Sequence, residues 1–349
     1  MRNSLSVQDV GEQGVLERLQ RFCPSSLVGD DAAVLPCPDG GELLVVTTDV
    51  LVDGVHFSDR TTSPEDAGWR AAAANLSDLA AMGAFPLGIT VGLSLTGDVA
   101  LDWIEGLYQG LTDCLQQYHT PLVGGDVCRS PVISISITAF GQVLPQQTIR
   151  RAAARVGDAI VVTGFHGISR AGLELLLNPE FGKTFSAAER MSLIGAHQRP
   201  KPRLDVLPLL WKVLEAYSPL AIAGMDSSDG LADAVIQICR ASGVGANLER
   251  NLIPLSPVLT KLVAAEQTWD WTLYGGEDFE LVLCLPKALA EALVKQLGEG
   301  AAIIGNITTD KQVWLRDITN TDEDVALTLD KGFQHFRAAP TKPGEDKRD

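Results

Sequence analysis

Six short stretches of this chain place carboxylates where apolar runs end. They are "VGDDAAVL" (Asp30, Asp31), "TTDVLVDGVHF" (Asp49, Asp53, His56), "NLSDLAAMG" (Asp78), "VGGDVCRS" (Asp126), "MDSSDGL" (Asp226, Asp229) and "YGGEDFEL" (Glu277, Asp278). Any one alone reads as a turn or a helix cap, because Asp, Ser and Gly favour both for local reasons. Asp31 and Asp53 read equally well as turn formers, and a lone His56 as a surface or satisfied core histidine. Two details weigh against a purely local reading of the set. Asp49 follows a strongly apolar run and Asp78 lies within an Ala-rich one, where an unpaired carboxylate is costly. Basic partners near these stretches are few, Arg129 and the 150–155 cluster. Converging carboxylates with so few basic neighbours require a cation. An all-oxygen set without a His or Cys cluster favours Mg2+ over zinc.

Cation-holding carboxylates beside glycine turns suit phosphate chemistry. Gly124-Gly125 and Gly275-Gly276 can present backbone N–H groups to phosphate oxygens. Phosphoryl transfer needs positioning and charge neutralisation, which Mg2+ bridging phosphate oxygens supplies. "FGKT" at 181–184 ends like a phosphate-binding loop, but its first glycine would fall at Leu177 and the preceding segment reads as a helix, so this loop is excluded. The Gly-rich loop and catalytic-loop signatures of protein kinases are absent.

The elements that must position these groups follow from periodicity and punctuation. Strands are predicted over 41–52, 86–95, 120–126, 131–143, 159–164 and 278–285, and at "AAIIGNI". Helices are predicted over 63–84, 102–118, 168–177, 187–196 and 229–242, and at "KALAEALVKQLG". Ser63 is the expected N-cap of the first, with Pro64 in its first turn and Asp66 reaching back. A Ser or Asp of "MDSSDGL" is expected to cap the helix at 229–242, with Asp233 on its solvated face or as an outer partner. The three prolines within 197–210 predict an irregular connection. Strands and helices mix in both halves without a strict alternating rhythm, which predicts an α+β (α/β mixed) protein of two domains. The divisions are 1–148, 149–338 and a disordered tail at 339–349.

The chain has 349 residues, 46% of them hydrophobic, enough for more than one core. Its formal net charge of -16 makes it a poor partner for nucleic acid or an anionic membrane. No apolar run is long enough for a membrane span, and "MRNSLSVQDVGEQG" lacks the apolar core of a signal peptide. Six scattered cysteines without a CxxC pair fit reduced thiols in a cytoplasmic protein.

Taken in order, "GDDAAV", "TTDVLVDGVHF", "NLSDLAAMGA", "GGD", "DSSDGL" and "GGEDFEL" resemble the thiamine-monophosphate kinase family, within the aminoimidazole-ribonucleotide-synthetase-like ATP-binding superfamily. The resemblance spans about residues 12–337. It implies ATP- and Mg2+-dependent phosphorylation of thiamine monophosphate to thiamine diphosphate plus ADP. The γ-phosphoryl group passes directly and in line, with no covalent or obligatory general-base residue. The implied fold is an N-terminal ATP/Mg2+-binding domain whose strands pair across a homodimer, and a C-terminal α/β domain. Carried over by motif, Asp30, Thr47, Thr48, Asp49, Asp78, Asp126, Asp226 and Asp229 are the implied ligands of several Mg2+ ions. Tyr108, Gly125, Asp126, Arg151 and Ser228 are the implied ATP contacts, Arg151 being preferred to Arg150 by its distance to "VGD". His56, Glu277 and Phe333 are the implied substrate contacts. Without the resemblance Tyr108 and Phe333 read as ordinary core residues. Departures are small: the family's Gly-Ile before the first motif is Leu27-Val28 here, and Ser227 stands where Ile is usual. Rivals in the superfamily are a selenophosphate synthetase and the purine-pathway synthetase. The first would carry a reactive Cys and a Lys in a Gly-rich N-terminal segment, and the second "DGVGTK" where this chain has "DGVHF". A non-catalytic nucleotide-binding protein is the rival from another class, and the full set of acidic residues argues against it.

Overall fold

The protein is described from a computed structural model, for residues 6–24, 27–37, 40–183, 185–215, 217, 220–317, 324–333 and 335–336. The first half supplies α1 (Val7–Gln20), β1 (Ala33–Pro36), β2 (Leu43–Val52), α2 (Pro64–Ala81), β3 (Phe85–Leu95), α3 (Leu101–Gln117), β4 (Leu122–Arg129) and β5 (Ser134–Val143). The strands form one sheet in the order β1-β2-β5-β3-β4, with only the β3–β4 pair parallel. Strict alternation sets its faces. β5 buries Ile135, Ile137, Ala139 and Val143 against the helices, while Ser134, Ser136 and Thr138 face away.

The second half supplies β6 (Ala159–Val162), α4 (Ile168–Leu177), α5 (Ala187–Gln198), α6 (Val206–Leu214), β7 (Ala223–Asp226), α7 (Leu231–Ser242) and β8 (Gly245–Glu249). It continues with α8 (Pro257–Leu262), α9 (Ala265–Tyr274), β9 (Leu281–Leu285), α10 (Lys287–Val294), β10 (Ala302–Thr308), β11 (Val313–Arg316) and β12 (Val325–Ala326). These strands form a second sheet, ordered β12-β11-β8-β10-β6-β9-β7, in which only β11–β8 is parallel. β6, β7 and β9 are buried along their whole length, as continuous apolar runs require.

α2 joins the two sheets. Its alanines let both backbones come close, and one continuous core runs from Ile137 and Val91 of the first sheet past α2 to Val161 and Leu283 of the second. Ser63 caps α2 as expected, accepting the Asp66 N–H at 3.1 Å. The Asp66 carboxylate turns to Arg199 at 2.7 Å. α3 crosses α2 at two glycines. A Cβ on Gly68 would lie 1.9 Å from the Leu107 carbonyl oxygen, and one on Gly110 would lie 1.7 Å from that of Glu65.

Two sequence expectations need correction. The stretch 197–210 contains the start of α6, because Pro208 falls in that helix's first turn, where the missing N–H has no partner to lose. α7 begins at Leu231 rather than 229, with Gly230 at its N-cap and no side-chain cap bond. The positive φ of 111° at Gly230 breaks the helix before that point. The tail at 339–349 lies outside the described residues.

The α2–α3 crossing carries a prediction. Gly110→Ala, which cannot be housed without separating the helices, should destabilise the protein by about 1–3 kcal/mol or more, read as a lower midpoint in urea. An unchanged midpoint would show that the crossing is loose.

Candidate active site

β2 turns Thr47 and Asp49 to its buried side, over α2. Thr47 Oγ1 donates to Asp78 Oδ2 at 2.5 Å, and Asn75 Oδ1 accepts the Asp49 N–H at 3.2 Å. From the second sheet, β7 ends on Asp226, which is 1% exposed. Its carboxylate accepts from Ser77 Oγ of α2 at 2.6 Å and from Ser228 Oγ at 2.9 Å. The loop before β1 adds Asp31. Carboxylate oxygens of Asp31, Asp78 and Asp226 lie within 4.8 Å of one another. Asp49 lies within electrostatic reach of Asp78 and Asp226, and Asp229 of Asp226.

Burial and mutual repulsion push these acids up. Burial takes Asp31 and Asp229 to about 7 and Asp49 to about 6, with Asp226 adding repulsion to each. Asp78 is raised well above the usual carboxylate range by burial, then by Asp49, Asp226 and Asp31. Arg151 opposes this at Asp31, with Nη2 2.6 Å from Oδ1. The donors are carboxylate and hydroxyl oxygens, the set that suits Mg2+.

The "DSSDG" turn and the "GGEDF" loop are laced together. The Glu277 N–H donates to the Ser228 carbonyl at 2.6 Å, and the Ser227 N–H to that of Glu280 at 2.9 Å. Gly276, Glu277 and Phe279 hold φ of 61°, 59° and 54°. For the two non-glycine residues that conformation is strained and persists only where the surroundings impose it. Asp278 points back and accepts from the N–H groups of Gly167 and Ser169 at 2.6 and 2.9 Å, capping α4. Glu277 accepts from the buried Arg70 of α2.

Beside the acidic group lies a cavity of about 760 Å³, whose walls include Asp49, Asp229, Ser228, His56, Glu277 and Phe333. His56 Nδ1 accepts the Val52 N–H at 3.0 Å, which leaves Nε2 as the donor of a neutral ring. Burial and then His335 hold its pKa down. His335 stands between His56 and Phe333, at ring distances of 5.0 and 4.9 Å.

The structure thus brings together Thr47, Asp49, Asp78, Asp226, Asp229 and Ser228, and separately His56, Glu277 and Phe333 along one cavity. Asp30 is a correction. Its oxygens are taken by Arg150 Nη1 at 2.9 Å and the Arg151 N–H at 2.8 Å. The adjacent Asp31 points inward instead, as consecutive residues in an extended turn do. Thr48 faces the opposite side of the sheet and donates to the Ile137 carbonyl at 2.8 Å. Gly125 and Asp126 stand on the exposed edge strand β4. Asp49, Ile137, Val91 and Gly125 share one cross-strand row, so Asp126 is about 14 Å from β2 and outward-facing. Tyr108 packs half-buried on α3. Within one chain these three do not reach the acidic group. Sequence reasoning missed Arg70, Asn75 and Ser77, since polar residues on a helix read as solvated.

The two halves of the chain match the family models of AIR synthase related protein, N-terminal domain over residues 29–143 and C-terminal domain over residues 155–317. The fold and its acidic seam therefore define an AIR synthase related protein. Among more specific relatives, the chain is 53% identical to the thiamine-monophosphate kinase of Synechococcus elongatus, over 95% of this chain and 98% of that one. It is 37% identical to the thiamine-monophosphate kinase of Escherichia coli, over 88% and 91% of the two chains. It is also similar to the solved structure of AaThiL complexed with AMPPCP and TMP, with a TM-score of 0.80 and 30% identity over 96% of this chain and 100% of that one. The chain belongs to the thiamine-monophosphate kinase family.

Two predictions follow from the electrostatics. Asp31, Asp49 and Asp229 keep protons in the folded state that the unfolded chain has lost above about pH 4. Their contribution to stability is therefore lost as pH rises through about 6 to 7. Histidines act oppositely: burial holds His166 at about 4 and His197 at about 2. The clean observable is the rise in melting temperature caused by Mg2+, which should be larger at pH 8 than at pH 6. An equal rise at both would remove these acids from ion binding. In the same assay at pH 8, Asp31→Asn should abolish most of the Mg2+ effect and Asp30→Asn should keep it.

Proposed function

We propose that this protein catalyses the ATP- and Mg2+-dependent phosphorylation of thiamine monophosphate to thiamine diphosphate, with ADP as second product. The observation that carries this reading is the adjacency of the acidic group to the cavity lined by His56, Glu277 and Phe333. In this reading Asp31, Asp78 and Asp226, with Asp49, Asp229 and Thr47, hold Mg2+. Ions held there would supply positive charge to neutralise the triphosphate and the acceptor phosphate. A phosphate oxygen of thiamine monophosphate attacks the γ-phosphorus, the bond to the bridging β-oxygen breaks, and ADP leaves. No side chain needs to become a covalent intermediate, because positioning and charge neutralisation suffice. In this reading Ser228, beside the uncapped start of α7, would meet nucleotide phosphates. Phe333 is 52% exposed, offering a ring face to an aromatic substrate. The carboxylate of Glu277 suits the positive thiazolium.

The reading extends to assembly. We assign residues 1–148 to ATP/Mg2+ binding and dimerisation and 149–338 to the C-terminal domain. β4 is an uncovered edge strand, with Val123 and Val127 59% and 62% exposed, and long apolar edges pair. Gly125 and Asp126 lie on that edge, so a homodimer would set them, with Tyr108 of the neighbouring helix layer, at a junction between copies. Six free cysteines suit a reducing compartment, and we place the enzyme in the cytoplasm. Among the described residues no helix is long and apolar enough to cross a membrane.

The test incubates the purified chain with ATP, Mg2+ and thiamine monophosphate and follows thiamine diphosphate by chromatography. Product should appear, vanish with a chelator, and fall by roughly 100-fold or more in Asp49→Asn and Asp226→Asn. Absence of product with ATP still bound would refute the kinase reading. In sedimentation the chain should run at twice its mass of 37.2 kDa, and Val127→Lys should return it to a monomer. A wild-type monomer at assay concentrations would refute the dimer.

A further inference from the structure

We propose that Arg70 is the positioning residue for Glu277, holding that carboxylate at the cavity wall where the substrate's cationic ring system is recognised. The proposal rests on the substrate reading above and adds a residue to it. Arg70 lies on the buried face of α2 and is 3% exposed. A buried guanidinium requires partners of fixed geometry, and here they come from two separate segments. Nη2 donates to Glu277 Oε1, and Nη1 donates to the carbonyl of His197 at the end of α5. Two acceptors in different directions fix the plane of the fork, which a lysine ammonium cannot reproduce.

Glu277 is held at its other end as well. Its backbone is left-handed, and its N–H is bound to the Ser228 carbonyl. Side chain and main chain are thus clamped from α2 and from the "DSSDG" turn, while the carboxylate remains 34% exposed toward the cavity. His197 Nδ1 lies 3.5 Å from Glu277 Oε2 but carries no charge, because burial and then Arg70 hold its pKa low. Among the described residues Arg70 is therefore the permanently charged group paired with Glu277. It aims the carboxylate toward the space a cationic or amine-bearing ring would fill, and it does not itself need to touch the reacting phosphates.

A merely structural Arg70 would tie α2 to α5 and leave substrate preference alone, so the experiment separates the two Michaelis constants. The full chain and the variants R70K, R70M, E277Q and R70M/E277Q are assayed with ATP, Mg2+ and thiamine monophosphate. Wild-type turnover checks the function reading by itself. R70M should raise the KM for thiamine monophosphate by roughly tenfold or more while the KM for ATP stays within about twofold. R70K should fall between R70M and wild type. The double variant should be no worse than the poorer single variant, because both act through one carboxylate. If R70M does not fold, R70K, which keeps the buried charge, gives the same split. A KM for thiamine monophosphate that is unchanged in a folded variant, a parallel rise in both KM values, or additive losses in the double variant would each overturn the proposal in an active wild-type background.

Discussion

Mutual repulsion among buried carboxylates is the constraint around which this molecule is organised. Asp31, Asp78 and Asp226 approach within 4.8 Å, with Asp49 and Asp229 beside them. Two ionised carboxylates at such a distance cost roughly 3 kcal/mol at an effective dielectric constant of about 20. Arg151 offsets one of them. Two more are anchored by fixed hydroxyl donors: Thr47 on Asp78, Ser77 and Ser228 on Asp226. The chain holds the repelling groups in place and leaves their charge to be answered by cations from solution. A site of this kind has little reason to be stable for its own sake.

α2 makes that arrangement possible, and its composition answers two demands at once. It must lie close to β2, α3 and β7, which selects alanine and glycine along its contact surfaces. It must also deliver Arg70, Asn75, Ser77 and Asp78 into the interior, each toward a different partner. Four polar residues within nine positions of a buried helix would be destabilising without those partners. Asn75 serves as backbone support, accepting the Asp49 N–H. Ser77 reaches the second sheet and Arg70 the "GGEDF" loop. The helix therefore fixes the relation between the two sheets through polar contacts as well as through its apolar face.

Most elements were legible because apolar period and punctuation agree along them, as in β2, β3, β5, α3 and α4. Failures occur where one local rule hides another. Prolines in 197–210 suggest a loop, yet Pro208 lies where a helix accepts it. Gly230 delays α7 beyond the acidic pair, so Asp229 belongs to a turn. β7 and β8 are short, and α8 and α9 lie in a stretch without a clear period, so none of the four stands out. The site was legible as a set of acidic motifs and less so atom by atom. Asp30 and Asp31 are chemically identical neighbours, and only the backbone path decides which points inward. Thr47 and Thr48 pose the same problem on a strand, where alternation sends one to each face. Arg70 leaves no sequence signal, because its partners are 127 and 207 residues away.

The distribution of charge around the cavity carries the argument one step further. On one side the cavity meets the acidic group at Asp49 and Asp229, and a chain of net charge -16 offers a bare phosphate no long-range attraction. A nucleotide triphosphate is therefore acceptable only together with its metal ions, whose charge reverses the sign of the interaction. Elsewhere on the cavity wall stand Glu277 and Phe333, and there a positive heteroaromatic ring would be favoured without any metal. In the proposed reading, a substrate that is anionic at one end and cationic at the other would fit this gradient in a single orientation, with its phosphate toward the acidic group and its ring toward Phe333 and Glu277. The field that makes the uncompensated acidic group costly would thus also orient the acceptor, so the expense of that group and the direction of transfer would have one physical origin.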